Sequence, residues 1–246
     1  MSFYTCVTRY GNSILYRGYD SYGKRLYRKE QFSPTFYTKC QKETGWKSLD
    51  GFNVAPIKFE NMREAKFWLE QNADVSGRYI YGNDKYLQQF ITEKFPRDIE
   101  FKRDLVDVAN IDIETEYNDG FPSPDKADQK ILSITYKSSK NDTYIVWGYG
   151  SYDTEKALIK PARYIRCRDE KSLLLKFLDF WSHPDNCPDI ITGWNVRFFD
   201  MPYLVNRVTN MLGVDFTKKF SPWGMIDYRQ ITRRGKQEDV YDIKGI

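Results

Sequence analysis

Apolar and polar positions alternate along the first part of the chain: Tyr4, Cys6 and Thr8 fall on one face of an extended segment, Thr5, Val7 and Arg9 on the other. A period of two is the signature of a strand. Ser13 to Arg17 and Leu26 to Phe32 flank the turn Asp20-Ser21-Tyr22-Gly23, which predicts an antiparallel meander. The period then changes. Met62, Ala65, Trp68 and Leu69 form a helical stripe, Asn61 can cap it, and Glu64 follows three residues later. That stripe is expected to face a core. From Pro96-Arg97-Asp98 to Arg103-Asp104 the composition turns charged, marking a boundary near residue 104.

Beyond it the pattern predicts a mixed α/β arrangement. Val108 to Glu116, Ile131 to Lys137 and Thr143 to Trp147 read as strands, the last two joined by the turn Ser138-Ser139-Lys140-Asn141-Asp142. Asp169 is placed to cap a helix through about Trp181, with Leu174, Phe177, Leu178 and Trp181 facing the core. An apolar strand at Ile190 ends at Gly193, and Asp200 stands at the head of a further helix with Pro202 in its first turn and Leu204, Val205 and Val208 on its apolar face. The order strand, strand, strand, helix, strand, helix is no simple repeat of βαβ units. The segment from Tyr241 to Ile246 reads as one more strand entering this sheet.

Two carboxylates interrupt the first of these strands. Residues i and i+2 share a strand face, so Asp112 and Glu114 point the same way. Neighbouring anions raise each other's pKa unless a cation lies between them, which suits half of a magnesium or manganese site. For an isolated Asp-x-Glu pair the solvent face of an edge strand is the ordinary alternative, as an N-cap is for Asp200 taken alone.

At 246 residues, 41% apolar and 17% aromatic, the chain can bury a sizeable core and hold two domains. No apolar run approaches the roughly 18 residues of a membrane span, and the start lacks a signal-peptide pattern. Cys6, Cys40, Cys167 and Cys187 form no Cys-x-x-Cys pair, so buried or reduced thiols are expected. A net charge of +4 leaves polyanionic partners open. His183, the single histidine, sits before Pro184 in a loop, a poor place for a catalytic base.

Taken together, Asp112-Ile113-Glu114 and Asn195-Val196-Arg197-Phe198-Phe199-Asp200 resemble the first two motifs of the DEDD-type 3′–5′ exonucleases, in the right order. With Gly11-Asn12-Ser13-Ile14, Tyr19-Asp20-Ser21-Tyr22-Gly23, Phe32-Ser33-Pro34, Phe59-Glu60-Asn61-Met62-Arg63-Glu64-Ala65 and Asp119-Gly120-Phe121-Pro122, the chain looks like the family B replicative DNA polymerases of T-even-type bacteriophages, from near Phe3 to near Ile246. The resemblance implies an N-terminal domain over 1–104 and, over 105–246, part of a ribonuclease H-like 3′–5′ exonuclease domain. It implies hydrolysis at a DNA 3′ end by two Mg2+ or Mn2+ ions about 3.5–4 Å apart. Asp112 would bridge both ions, Glu114 would bind one, and Asp200 would hold the second through its waters.

Phe121 corresponds to a ring that stacks on the frayed strand, and equally could plug the core. The same resemblance assigns nucleic-acid contact to Asn195, Phe199, Arg233 and Arg234, the last two in a basic cluster with Arg229 and Lys236 around a hairpin tip at Gly235 that could also be a solvated turn. Lys24, Arg25, Arg28 and Lys29, interleaved with Tyr22 and Tyr27, suit phosphate contact plus stacking, or simply the wet face of a strand. The family's third motif, Tyr-x-x-x-Asp, does not follow Asp200; Tyr16 to Asp20 and Tyr149 to Asp153 match it but lie upstream. The chain therefore reads as the first portion of a longer polymerase. Its expected partners are a single-stranded DNA 3′ end and the remaining polymerase polypeptide, in the cytoplasm of an infected bacterium and away from membranes. The second reading is a non-catalytic single-stranded nucleic-acid module that binds RNA, such as a translational repressor.

Overall fold

A computed structural model describes residues 2–72, 79–118, 120–156 and 161–246. Asp119, the first residue of the stretch Asp119-Gly120-Phe121-Pro122, lies outside them. The chain divides into two compact units, Met1–Lys102 and Arg103–Ile246.

In the first unit, β1 (Phe3–Tyr10), β2 (Ser13–Tyr19) and β3 (Arg25–Gln31) form an antiparallel sheet in that order. The turn between β2 and β3 is built as its residues dictate. The Asp20 carboxylate accepts from the amides of Tyr22 and Lys24, both at 2.9 Å, and Gly23 takes the left-handed φ of 83°. A second antiparallel sheet, which the sequence pattern did not predict, runs β5 (Val54–Lys58), β4 (Thr35–Lys39), β6 (Ile80–Tyr81).

Helix α1 (Met62–Asn72) starts as read: Asn61 Oδ1 accepts from the amides of Arg63 and Glu64 at 3.0 Å, while Glu64 reaches back to the Glu60 amide at 2.7 Å. Helix α2 (Tyr86–Lys94) has no side-chain cap. Its buried Gln89 pairs with Thr35 like another strand, accepting from the Thr35 amide at 3.1 Å and donating to its carbonyl at 3.0 Å. Rings fill the spaces between, with Phe90 against Tyr16 and Phe32, and Phe36 against Phe59 and Trp68.

In the second unit, β7 (Val108–Thr115), β8 (Ile131–Ser138), β9 (Tyr144–Gly148), β10 (Ala162–Arg166) and β11 (Ile190–Thr192) make one mixed sheet, ordered β10-β9-β8-β7-β11. β7, β8 and β9 are antiparallel neighbours, and β10 and β11 add parallel at the edges. β10 is one strand more than the pattern predicts, because Arg163 and Arg166 break its alternation. Helix α3 (Glu170–Ser182) is capped by Asp169, which accepts from the Ser172 amide at 2.7 Å. It buries Leu173, Leu174, Phe177, Leu178 and Trp181. Helix α4 (Asp200–Leu212) packs Leu204, Val205 and Val208 into the same core and is followed by α5 (Val214–Thr217).

The end of the chain differs from expectation. β12 (Ile226–Arg233) and β13 (Lys236–Ile243) form their own two-stranded hairpin and do not enter the five-stranded sheet. Ile243 still contributes to the core of the unit, so an apolar residue in a strand pattern marked burial correctly without fixing its partner. Arg234 and Gly235 turn the hairpin with φ of 51° and 75°, the left-handed pair that matches strand twist. No helix among the described residues is long and apolar enough to cross a membrane.

Candidate functional site

The alternation of β7 sorts its side chains. Ala109, Ile111 and Ile113 are buried, and Asn110, Asp112 and Glu114 are exposed on the opposite face. β11 accompanies β7 only as far as the pair Thr192 and Asn110. At Gly193 a Cβ would stand 2.6 Å from the Ile111 carbonyl oxygen, so the chain passes β7 more closely than any larger residue allows. It then turns away through Asn195, whose left-handed φ of 54° suits asparagine and whose carbonyl accepts from the amides of Phe198 and Phe199, both at 2.9 Å.

The end of β11 leaves the next β7 amide without a strand partner, and Asp200 supplies one: the Ile113 N–H donates to Asp200 Oδ1 at 3.1 Å. Asp200 is the first helical residue of α4, with Phe199 in the cap position, one residue earlier than an N-cap reading of Asp200 requires. Its side chain is therefore a buried acceptor for β7. Burial pushes its pKa up to about 6; the negative charges of Asp112 and Glu114 add to this, and the Ile113 hydrogen bond opposes it. The two acids of the first motif, in solvent, thus bear on the one inside.

In chemistry they fit a hard divalent cation, which would relieve the repulsion that Asp200 feels. Their oxygens are not gathered, however: among the described residues no three or more Asp, Glu, His or Cys side chains are arranged to hold a metal ion. The downstream acids are engaged on the hairpin. Asp239 accepts from the Tyr228 hydroxyl at 2.8 Å and from Gln230 at 3.1 Å, and Lys244 stands between Asp227 and Asp242 at 2.8 and 2.6 Å.

Phe121 does not plug the core. It is 79% exposed, its ring 5.5 Å from that of Phe199, which in turn lies 5.7 Å from Tyr203. Asn195, Arg233 and Arg234 meet at a different place, a cleft of about 600 Å³ between the turn 193–198 and the hairpin tip. There the Arg233 guanidinium covers the Phe198 ring at 4.2 Å, and Trp194 is almost fully exposed. His183 is exposed, its Nδ1 accepting from the Asp185 amide at 3.3 Å. The four cysteines, all among the described residues, form no disulfide.

The polar side of α4 was missed in the sequence. Glu170 and Arg207 form a buried two-pronged ion pair, both contacts at 2.7 Å, and Glu170 also accepts from the Ile131 amide at 2.8 Å. Arg207 further donates to the carbonyls of Ala127 and Asp128 at 3.0 Å. Nothing in a sequence marks an arginine whose partners are carbonyls of a distant loop.

Residues 81–246 match the family described as DNA polymerase family B, exonuclease domain. The chain is 31% identical to the DNA-directed DNA polymerase of Enterobacteria phage T4 and 30% identical to that of Escherichia phage RB69, in each case over 99% of its own length and 29% of the relative's. It is also 31% identical to the DNA polymerase catalytic subunit of Alcelaphine herpesvirus 1 over 49% of its length and 12% of that protein's. The chain thus spans about three-tenths of the phage polymerases it matches. A strand carrying Asp112 and Glu114, met by a helix that opens on Asp200, lies within the matched segment, and the chain belongs to the family B DNA polymerases, with 81–246 in their exonuclease domain.

Proposed function

We propose that this chain is the N-terminal and proofreading segment of a phage replicative DNA polymerase, and that Asp112, Glu114 and Asp200 hold the metal ions that remove a nucleotide from a DNA 3′ end. The observation that carries the reading is the junction of β7 and α4, where the Ile113 amide on the strand that carries Asp112 and Glu114 donates to the buried Asp200 carboxyl at 3.1 Å, and burial above all pushes that carboxyl up to about 6. Two divalent ions, Mg2+ or Mn2+, would supply activation of the attacking water and neutralisation of the leaving oxygen. Asp112 and Glu114, exposed on one strand face, are free to turn toward such ions; Asp200 is held by the Ile113 amide. Phe121 offers its open ring to the terminal base, stacking worth about 1–3 kcal/mol. Asn195, Phe199, Arg233 and Arg234 guide the strand.

No Tyr-x-x-x-Asp follows Asp200, so we expect the isolated chain to be a weak nuclease. Full activity would need the remaining polymerase polypeptide to supply the water-orienting tyrosine and the fourth acid. The test is thermal melting with Mn2+ and digestion of a labelled single-stranded 3′ end. Mn2+ should raise the melting temperature of the wild type and leave Asp112→Ala unchanged, with digestion slow until the continuing polypeptide is added. An equal Mn2+ response in Asp112→Ala would reject these ligands. Digestion at the same rate in Asp112→Ala would reject the assigned chemistry.

A further inference from the structure

The ring of Phe121 stands on a loop with a built support, and we infer that Gln129 and the polar face of α4 are positioning residues that hold that ring where a terminal base meets it. The inference rests on the proofreading reading above. Residues 203, 206, 207 and 210 recur at helical spacing on one side of α4, and each donates to a backbone carbonyl of the loop between β7 and β8. The Tyr203 hydroxyl reaches the Gln129 carbonyl at 2.8 Å, and Asn206 reaches that of Pro124 at 2.8 Å. Arg207 reaches Ala127 and Asp128 at 3.0 Å, and Asn210 reaches Lys126 at 2.9 Å and Ala127 at 3.4 Å.

The loop is thereby bent into a shape its sequence does not favour. Ala127 is fully buried and left-handed at φ 43°, a conformation that persists in a residue with a Cβ only where the surroundings impose it. From this anchor Gln129 carries the support forward. Its side-chain oxygen accepts from the Asn118 amide at 3.0 Å, and its side-chain nitrogen donates to the Gly120 carbonyl at 3.4 Å, one residue from Phe121. Because α4 opens on Phe199 and Asp200, one helix carries the ring on which Phe121 rests, the buried acid, and the donors that fix the loop.

Gln129 is half-buried and Asn210 exposed, so both can be changed with the fold intact. The experiment is a double-mutant cycle on the whole chain, crossing Phe121→Ala with Gln129→Ala and with Asn210→Ala, read by binding of a single-stranded DNA carrying a fluorescent 2-aminopurine at its 3′ end. Hydrogen exchange of the Asn118 amide provides a second readout. Phe121→Ala should weaken binding roughly tenfold and abolish the quenching that a stacked base shows. Gln129→Ala and Asn210→Ala should each weaken binding severalfold, expose the Asn118 amide, and have no further effect once Phe121 is alanine.

Unchanged binding in both support variants, with Phe121→Ala still weak, overturns the positioning role and leaves the proofreading reading standing. Full additivity with Phe121→Ala overturns it as well, since the loop then acts by another route. Absence of binding by the wild-type chain defeats the proofreading reading itself, and this inference with it.

Discussion

A single carboxyl makes the stability of the metal-free chain depend on pH. Below about pH 4 Asp200 is protonated in both the folded and the unfolded chain. As pH rises through about 6 the folded chain must bury an anion beside two others, so stability present at low pH is lost across that window, on the order of 3 kcal/mol. Asp200→Asn keeps an oxygen to accept from the Ile113 amide and removes the charge. Urea unfolding at pH 4.5 and 7 should show the variant gaining on the wild type as pH rises; a constant difference would mean that the carboxyl is not strained. Phe121 teaches the complementary point. Whether a phenylalanine before proline is core or contact was undecided in the sequence, and its 79% exposure decides only that it is not core.

At the scale of elements, what could be read was whatever carries its own local signal. The alternation of β1 and β7, the Asn61 and Asp169 caps, and the apolar stripes of α1 and α3 all state their structure within a few residues. α2 has no side-chain cap, β6 is two residues long, and β10 is an arginine-bearing edge strand, so none announces itself. The tertiary polar contacts were invisible for another reason: Glu170 and Arg207 are separated by 37 residues, and the carbonyls that Arg207 binds by about 80. That ion pair joins the starts of α3 and β8 to α4. Arg207→Met would leave Glu170 buried without its cation, and should cost about 3–5 kcal/mol in denaturant unfolding, whereas the double change Arg207→Met with Glu170→Leu should recover most of it. If the single variant loses less than about 1 kcal/mol, the pair is not holding the helices together.

For the molecule as a whole, a net charge of +4 over 246 residues is too mild to attract DNA by itself, so under the proposed function affinity comes from where cations are placed. The cleft between the turn 193–198 and the hairpin tip gathers Arg197, Arg233 and Arg234, the first two against the Phe198 ring, beside the exposed Trp194. Single-stranded DNA binding should weaken linearly in log–log salt plots, and Arg233→Ala with Arg234→Ala should flatten the slope by about 0.7 for each phosphate that is no longer neutralised. An unchanged slope would move the strand's path elsewhere. The turn that carries these arginines has a further consequence. Arg234 occupies a left-handed position at φ 51°, where asparagine or glycine would be at ease. Arg234→Asn should therefore stiffen the hairpin and, under the proposed function, weaken single-stranded DNA binding, a variant improved as a fold and impaired as a tool.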